Sequence, residues 1–192
     1  MDLTMMKDHY PVPAGFKRTR TDDLRSVHEA NDKEAWTTAM DWLADFSQYV
    51  GARAEPLRRG SSLVLVGPPG TGKTMLASAM LNHITHTLSK TTAYINDGKL
   101  DRFLRDARYS RLDDEDEFFM FGLENVACVV VDDALRLGGT AEILEPFLRT
   151  RGELGKPTIL TINVAVPLSE TMRSFLSTWT WAVFTGPDQR RI

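Results

Sequence analysis

The residues best equipped for chemistry stand together at Gly67 to Thr74, "GPPGTGKT". Gly67, Pro68, Pro69, Gly70, Thr71, Gly72, Lys73 and Thr74 fill every position of the phosphate-loop pattern G-x-x-x-x-G-K-[ST]. The glycines of such a loop let backbone N–H groups converge on phosphate oxygens, and the helix that follows adds its positive N-terminal end. Lys73 then supplies a point charge to the β- and γ-phosphates, and Thr74 a hydroxyl ligand for Mg²⁺. ATP and Mg²⁺ are therefore the expected cofactors. The loop alone does not say what the nucleotide drives, because kinases, motors and switches share it.

A second acidic element is needed to hold the metal. "VVVDD" places Asp132 and Asp133 at the carboxyl end of an apolar, β-branched run, where open parallel sheets bind ligands. Asp132 fits the metal-holding role through water, and Asp133 the role of orienting or deprotonating the attacking water. The alternative is a pair of acids capping a turn. Asn163 ends a further run, "PTILTIN". It would reach the γ-phosphate or the attacking water if its strand lies between the other two, and otherwise it starts an Asn turn.

These residues need a scaffold. From Ser61 onward the chain alternates: "SSLVLV", "TTAYIN", "VACVVVDD", "PTILTIN" and "TWAVF" read as strands. The intervening segments read as helices, with Leu76, Met80, Ile84 and Leu88 spaced by four. Strand alternating with helix predicts an α/β fold, a parallel sheet covered on both faces. Upstream, "NDKEAWTTAMDWLADFSQYV" reads as a leading helix over 31–50, with Asn31 as N-cap and Glu34 as its capping-box partner. Residues 1–30 read as an arm, partly without regular structure, and 31–192 as the core. Pro146 is expected to limit or kink its helix.

Taken in order, "GPPGTGKT", "VVVDDA", "GKPTILTIN" and "WAVFTGPDQRR" resemble the AAA+ ATPases of the DnaC/IstB type, a group of bacterial and phage helicase loaders and transposition helpers. The resemblance runs from about Asp32 to the last residue. It implies a three-layer P-loop fold with a five-stranded parallel sheet of order 5-1-4-3-2, Asn163 as sensor 1, and ATP-dependent self-association into a ring or spiral. By position it implies an arginine finger at Arg173, a sensor-2 residue at Arg190 and a further family arginine at Arg151. It also implies a replicative helicase and single-stranded DNA as partners. The chain departs from the family in carrying Asp133 where most members have Glu. It stops after the last core strand, so the usual helical lid is expected to be absent.

Other features read two ways. Lys99, Arg102, Arg105, Arg108 and Arg111 recur every third residue and invite a DNA-binding stripe. Each three-residue step drifts by about 60° around a helix, and Asp101–Arg105 and Arg102–Asp106 can pair, so a solvated self-paired helix is the alternative. "DDEDE" at Asp113 to Glu117 reads as a solvated loop running into Phe118, Phe119 and Phe121, which either pack inside or form a docking hook. His83 and His86 lack a third ligand for a metal.

Composition bounds the rest. The 192 residues carry 42% hydrophobic and 26% charged side chains, a net charge of -3 and one cysteine, Cys128. No basic surplus advertises nucleic acid, so any DNA contact must be a local patch. No apolar run is long enough to span a membrane and no secretion signal is present, so a cytoplasmic protein is expected. The reading that fits best is an ATP-hydrolysing, DnaC-like helicase loader in DNA replication. An IstB-like transposition helper is the alternative within the family. A small-molecule kinase and a non-hydrolysing ATP-binding adaptor are the alternatives outside that reading.

Overall fold

A computed structural model describes residues 3, 6–51, 62–109, 111–136, 141–164 and 166–189. Five strands, β1 (Leu63–Gly67), β2 (Thr92–Asn96), β3 (Cys128–Asp132), β4 (Thr158–Asn163) and β5 (Thr180–Val183), form one sheet. Its order is β2-β3-β4-β1-β5, every pairing is parallel, and read from the other edge this is the expected 5-1-4-3-2. The eight helices of the described residues are α1 (Met6–His9), α2 (Thr21–Asn31), α3 (Lys33–Gly51), α4 (Lys73–His86), α5 (Asp97–Arg108), α6 (Asp114–Asn125), α7 (Ala141–Glu153) and α8 (Glu170–Leu176).

Side chains alternate across a strand, so each strand feeds two cores. Leu63, Leu65, Tyr94, Cys128, Val130 and Ile159 pack with α2, α3 and α4 on one face. Val64, Ile95, Val129, Val131, Leu160 and Ile162 pack with α1, α5, α6, α7 and α8 on the other. This is a three-layer sandwich, and it explains why the strands read as nearly continuous apolar runs. Cys128 is fully buried, and burial pushes its thiol up to about 12.

Several local expectations need correction. The segment before residue 31 carries helix α2, whose Asp22 and Asp23 sit at its positive end. The Asp23 carboxylate accepts the Arg20 amide at 3.0 Å. Leu24 and His28, four apart, are its buried face. Asn31 is therefore the last residue of α2 rather than an N-cap, and its side chain donates to the Val27 carbonyl at 2.8 Å. Asp32 separates the two helices: its amide closes α2 on His28, and its carbonyl receives the Trp36 amide at 2.9 Å.

The acidic run is likewise helical. Asp113 caps α6 by accepting the Asp116 amide at 2.8 Å, and residues 114–117 fill the first turn, where the helix dipole favours acids. Phe119 is buried, Phe118 half-buried and Phe121 exposed. Helix α7 runs through Pro146, which is exposed. Of the two ion pairs expected on α5, Asp101–Arg105 forms at 2.8 Å. Arg102 instead lies over the Phe103 ring at 5.1 Å. Chain upstream of the phosphate loop also closes the sheet edge: the Tyr94 amide on β2 donates to the Tyr10 carbonyl at 2.9 Å, and Met6 fills the notch at Gly122.

Candidate nucleotide site

The site lies where β1, β3 and β4 end together. The phosphate loop leaves β1 at Gly67 and enters α4 at Lys73. All three of its glycines are required by geometry, Gly70 at φ +85° among them. Gly72 has φ +90°, which L side chains rarely adopt, and a Cβ there would stand 2.8 Å from the His28 ring. A Cβ on Gly67 would meet the Phe184 carbonyl at 2.5 Å, because the chain leaving β5 presses against the loop. Lys73 is buried, and its ammonium donates to the carbonyls of Gly67 and Pro68 at 2.7 Å each.

Parallel pairing then sets the acids beside the loop. Gly67 is in register with Asn163, and Asn96 with Asp132. Asp132 Oδ1 accepts from Thr74 Oγ1 at 2.8 Å and from Thr161 Oγ1 at 2.7 Å. The Tyr94 side chain lies near Asp132 and Asp133 as well. Burial, then the neighbouring carboxylates of Asp132 and Asp133, raise that phenol above its ordinary value. The chain next turns sharply, with Asp133 at φ +55° and Leu135 at φ +65°. Non-glycine residues in this region store strain of about 1–3 kcal/mol each and are common at functional sites. The turn is pinned by the Asp133 amide, which donates to Thr161 Oγ1 at 2.8 Å. It aims the Asp133 carboxylate at two donors: Asn163 Nδ2 reaches Oδ1 at 2.6 Å and Arg136 reaches Oδ2 at 3.1 Å.

These groups border one cleft of about 650 Å³. Lys73, Thr74, Asp132, Asp133 and Asn163 line it, with Phe16, Met75, Arg136 and Gln189. The closing segment wraps the loop from outside. Gln189 N donates to the Gly70 carbonyl at 3.0 Å, and the Asp188 carboxylate packs on Gly70. Asp32 anchors that segment by accepting the amides of Thr185 at 2.6 Å and Gly186 at 2.7 Å.

The donor set fits a nucleoside triphosphate with a divalent cation. Thr74 and Asp132 offer hard oxygen donors side by side, as Mg²⁺ prefers. Among the described residues no group of three His, Cys, Asp or Glu side chains could hold a metal, so the remaining ligands would be phosphate oxygens and water.

A family model described as "ATPase family associated with various cellular activities (AAA)" matches residues 63–115, from the first residue of β1 into α6. The phosphate loop falls inside that span, and the five strands around it have the order given above. The chain has the AAA+ P-loop fold.

Solved structures agree on this AAA+ core. A replication initiator DnaA bound to AMPPCP and single-stranded DNA matches with a TM-score of 0.67 at 14% identity, over 91% of this chain and 51% of that one. The structure of DnaI matches with a TM-score of 0.66 at 20% identity, over 93% and 94% of the two chains. The DnaC helicase loader matches with a TM-score of 0.56 at 24% identity, over 78% and 90%. At such identities the likeness establishes the fold, and the chain spans about half the length of that DnaA. No curated protein matches the sequence significantly.

The remaining predicted residues lie away from the cleft or outside the description. Arg173 is exposed on α8 and does not line the cleft. Arg190 falls outside the described residues. Arg151 is fully buried in the interior. Lys99, Arg102, Arg105 and Arg108 are all exposed on α5, spread over the solvent half of that helix rather than in one row. Tyr94, Thr161 and Arg136 join the site without having been singled out in the sequence. Tyr94 and Thr161 each stand two residues before a strand-ending polar residue, on its face, and that spacing was the available signal. Among the described residues no helix is long and apolar enough to cross a membrane.

Proposed function

We propose that this chain is an ATP-driven helicase loader of the DnaC type, acting in DNA replication. The observation that carries this reading is the joint hold on Asp133 by Asn163 and the turn after β3. It leaves a carboxylate at the mouth of a phosphate loop, where water rather than a second substrate would be the acceptor. In the proposed site Lys73 turns its ammonium from the loop carbonyls to the β- and γ-phosphates. Thr74 and Asp132 would hold the divalent cation, with Thr161 fixing the Asp132 carboxylate. Bound Mg²⁺ neutralises charge across the phosphate oxygens. Asp133 orients the attacking water and accepts its proton, while Asn163 keeps the carboxylate aimed and senses the γ-phosphate.

Arg173 acts in a neighbouring subunit's site. An exposed residue that does not line its own cleft suits a finger supplied in trans, which makes hydrolysis depend on assembly. Nucleotide-bound subunits would then associate on single-stranded DNA and release the helicase on turnover. The AAA+ fold shared with DnaI and DnaC supports this reading. Steady-state ATP turnover, with and without single-stranded DNA, tests it. Stimulation by DNA is expected. Phosphoryl transfer to a small-molecule acceptor would favour a kinase instead, and binding without turnover an adaptor.

A further inference from the structure

A second cleft of about 620 Å³ lies along the far half of α4, outside the nucleotide site. Its rim carries Lys17, Arg18 and Arg20 from the turn before α2, and His83 and His86 from the last turn of α4. The three cations are exposed, and none forms an ion pair among the described residues. The one acid on the rim, Asp22, stands 3.9 Å from Arg25. In a chain of net charge -3, this is a local concentration of positive charge.

We propose that this cleft binds the phosphodiester backbone of single-stranded nucleic acid. The inference rests on the DNA-dependent reading above and assigns the DNA contact to a surface not singled out so far. Two features point to backbone rather than base recognition. The cations are exposed and spread along a rim, which suits a chain of phosphates better than one small anion. No Phe, Tyr or Trp lines the cleft, so apart from the His83 and His86 rings it offers no platform for base stacking. Backbone contacts of this kind carry no sequence information.

The α5 cations suit a polyanion less well. Arg105 is paired with Asp101, and Lys99 sits over the Tyr10 ring at 4.3 Å. The Tyr10 hydroxyl feels Asp116 and Glu115 as well as Arg102, so acids of α6 share that neighbourhood.

The cleft is built in advance and joined to the nucleotide site. Asn82 of α4 donates through Nδ2 to the carbonyls of Phe16 at 2.9 Å and Thr19 at 3.0 Å, which fixes the turn bearing Lys17 and Arg18. Phe16, one residue before Lys17, lines the nucleotide cleft. One clamped turn therefore touches both sites, so nucleotide held against Phe16 sets where the cations stand.

The test is fluorescence anisotropy with labelled oligo(dT) and oligo(dA), across a salt series, with and without ATP. Lys17→Ala/Arg18→Ala/Arg20→Ala should weaken binding of both oligonucleotides by roughly tenfold or more and lower the log–log salt slope by about 2. ATP affinity should stay unchanged. The charge-keeping Lys17→Arg/Arg18→Lys/Arg20→Lys should bind like the wild type. Asn82→Ala should keep DNA binding but lose its response to ATP. An unaltered slope in the alanine triple, with the loss appearing instead in Arg102→Ala/Arg105→Ala/Arg108→Ala, overturns the cleft and leaves the DNA reading standing. Displacement by inorganic phosphate at constant ionic strength would make it a small-anion site and overturn the backbone assignment. Wild-type protein that binds neither oligonucleotide overturns both the cleft and the DNA reading.

Discussion

Asn163 holds Asp133: its Nδ2 donates to the Asp133 carboxylate at 2.6 Å across the ends of β4 and β3. A second donor, Arg136, meets the other oxygen at 3.1 Å. The carboxylate is thus aimed by two residues while its neighbour Asp132 is engaged by Thr74 and Thr161. Two adjacent acids have separate partners and are assigned separate tasks. Asp133→Asn should therefore leave ATP affinity within about twofold while cutting turnover by 10²–10⁴-fold, the usual worth of a general base. Calorimetry and a phosphate-release assay on one preparation measure both quantities. Wild-type turnover in this variant would remove Asp133 from the chemistry.

Lys73→Ala should act on binding instead. The ammonium is buried beside the loop carbonyls and would be the main cation for the β- and γ-phosphates. Losing a buried charged donor costs about 2–5 kcal/mol, so ATP affinity should fall by roughly 30-fold to several thousand-fold. Calorimetric titration with ATP decides it, and unchanged affinity would mean that the loop does not bind phosphate through this residue.

The parts of the site that follow from spacing are legible in the sequence. A phosphate loop is contiguous, and Asp132 and Asn163 end apolar, β-branched runs that read as buried strands, whose pairing sets both beside the loop. Long-range packing is not legible in this way. Helix α2 hides because its buried face includes a histidine, which reads as polar but here stacks on Trp36. The acids 113–117 read as a loop because net charge outweighs capping in a pattern count, yet Asp113 and the dipole make them a helix start. Arg136 reaches Asp133 only through two left-handed residues, Asp133 and Leu135, and neither is a glycine that would announce such a turn.

Arg151 is a structural staple. Its guanidinium is fully buried and donates to the carbonyls of Leu123, Glu124, Val126 and Pro157 and to Thr158 Oγ1. It ties the end of α6 to the turn before β4. Burial pushes its pKa down to about 10, which leaves it charged at neutral pH. Arg151→Ala strands several buried carbonyls and should cost roughly 3 kcal/mol, lowering Tm by about 6–12 °C. Thermal unfolding followed by circular dichroism reports this. A Tm shift within error would show that water replaces the guanidinium.

His28 makes stability depend on pH. The ring is fully buried between Trp36, Phe184 and Gly72, and neither nitrogen has a hydrogen-bond partner. Burial lowers its pKa, and the nearby Asp32 carboxylate only partly opposes this. The unfolded chain therefore binds a proton more readily than the folded one. Stability is complete above the unfolded value of about 6.5 and is lost as pH falls through the folded value. Urea midpoints at pH 7.5 and 5.5 should differ for the wild type, and the difference should shrink in His28→Phe. Equal pH sensitivity in the two proteins would assign the acid effect to other groups.

Arg173 provides the sharpest test of assembly. It is exposed on α8 and absent from the cleft of its own chain, so a role in hydrolysis requires a neighbour. Arg173→Ala should bind ATP almost normally and lose turnover by roughly 10³-fold or more, the usual worth of an arginine finger. Lys73→Ala should also be inactive, for the opposite reason. In a mixture, an Arg173→Ala subunit offers an intact phosphate loop to the intact finger of a Lys73→Ala neighbour. Turnover should therefore reappear and peak at an intermediate ratio when total protein is held fixed with single-stranded DNA present. A residue acting within its own subunit gives no such peak, because neither parent contains a complete site. Full activity of Arg173→Ala alone would remove the finger from α8. A flat, inactive mixing curve would mean that the two defects never meet at one interface, and hydrolysis would then have to be completed within a single chain.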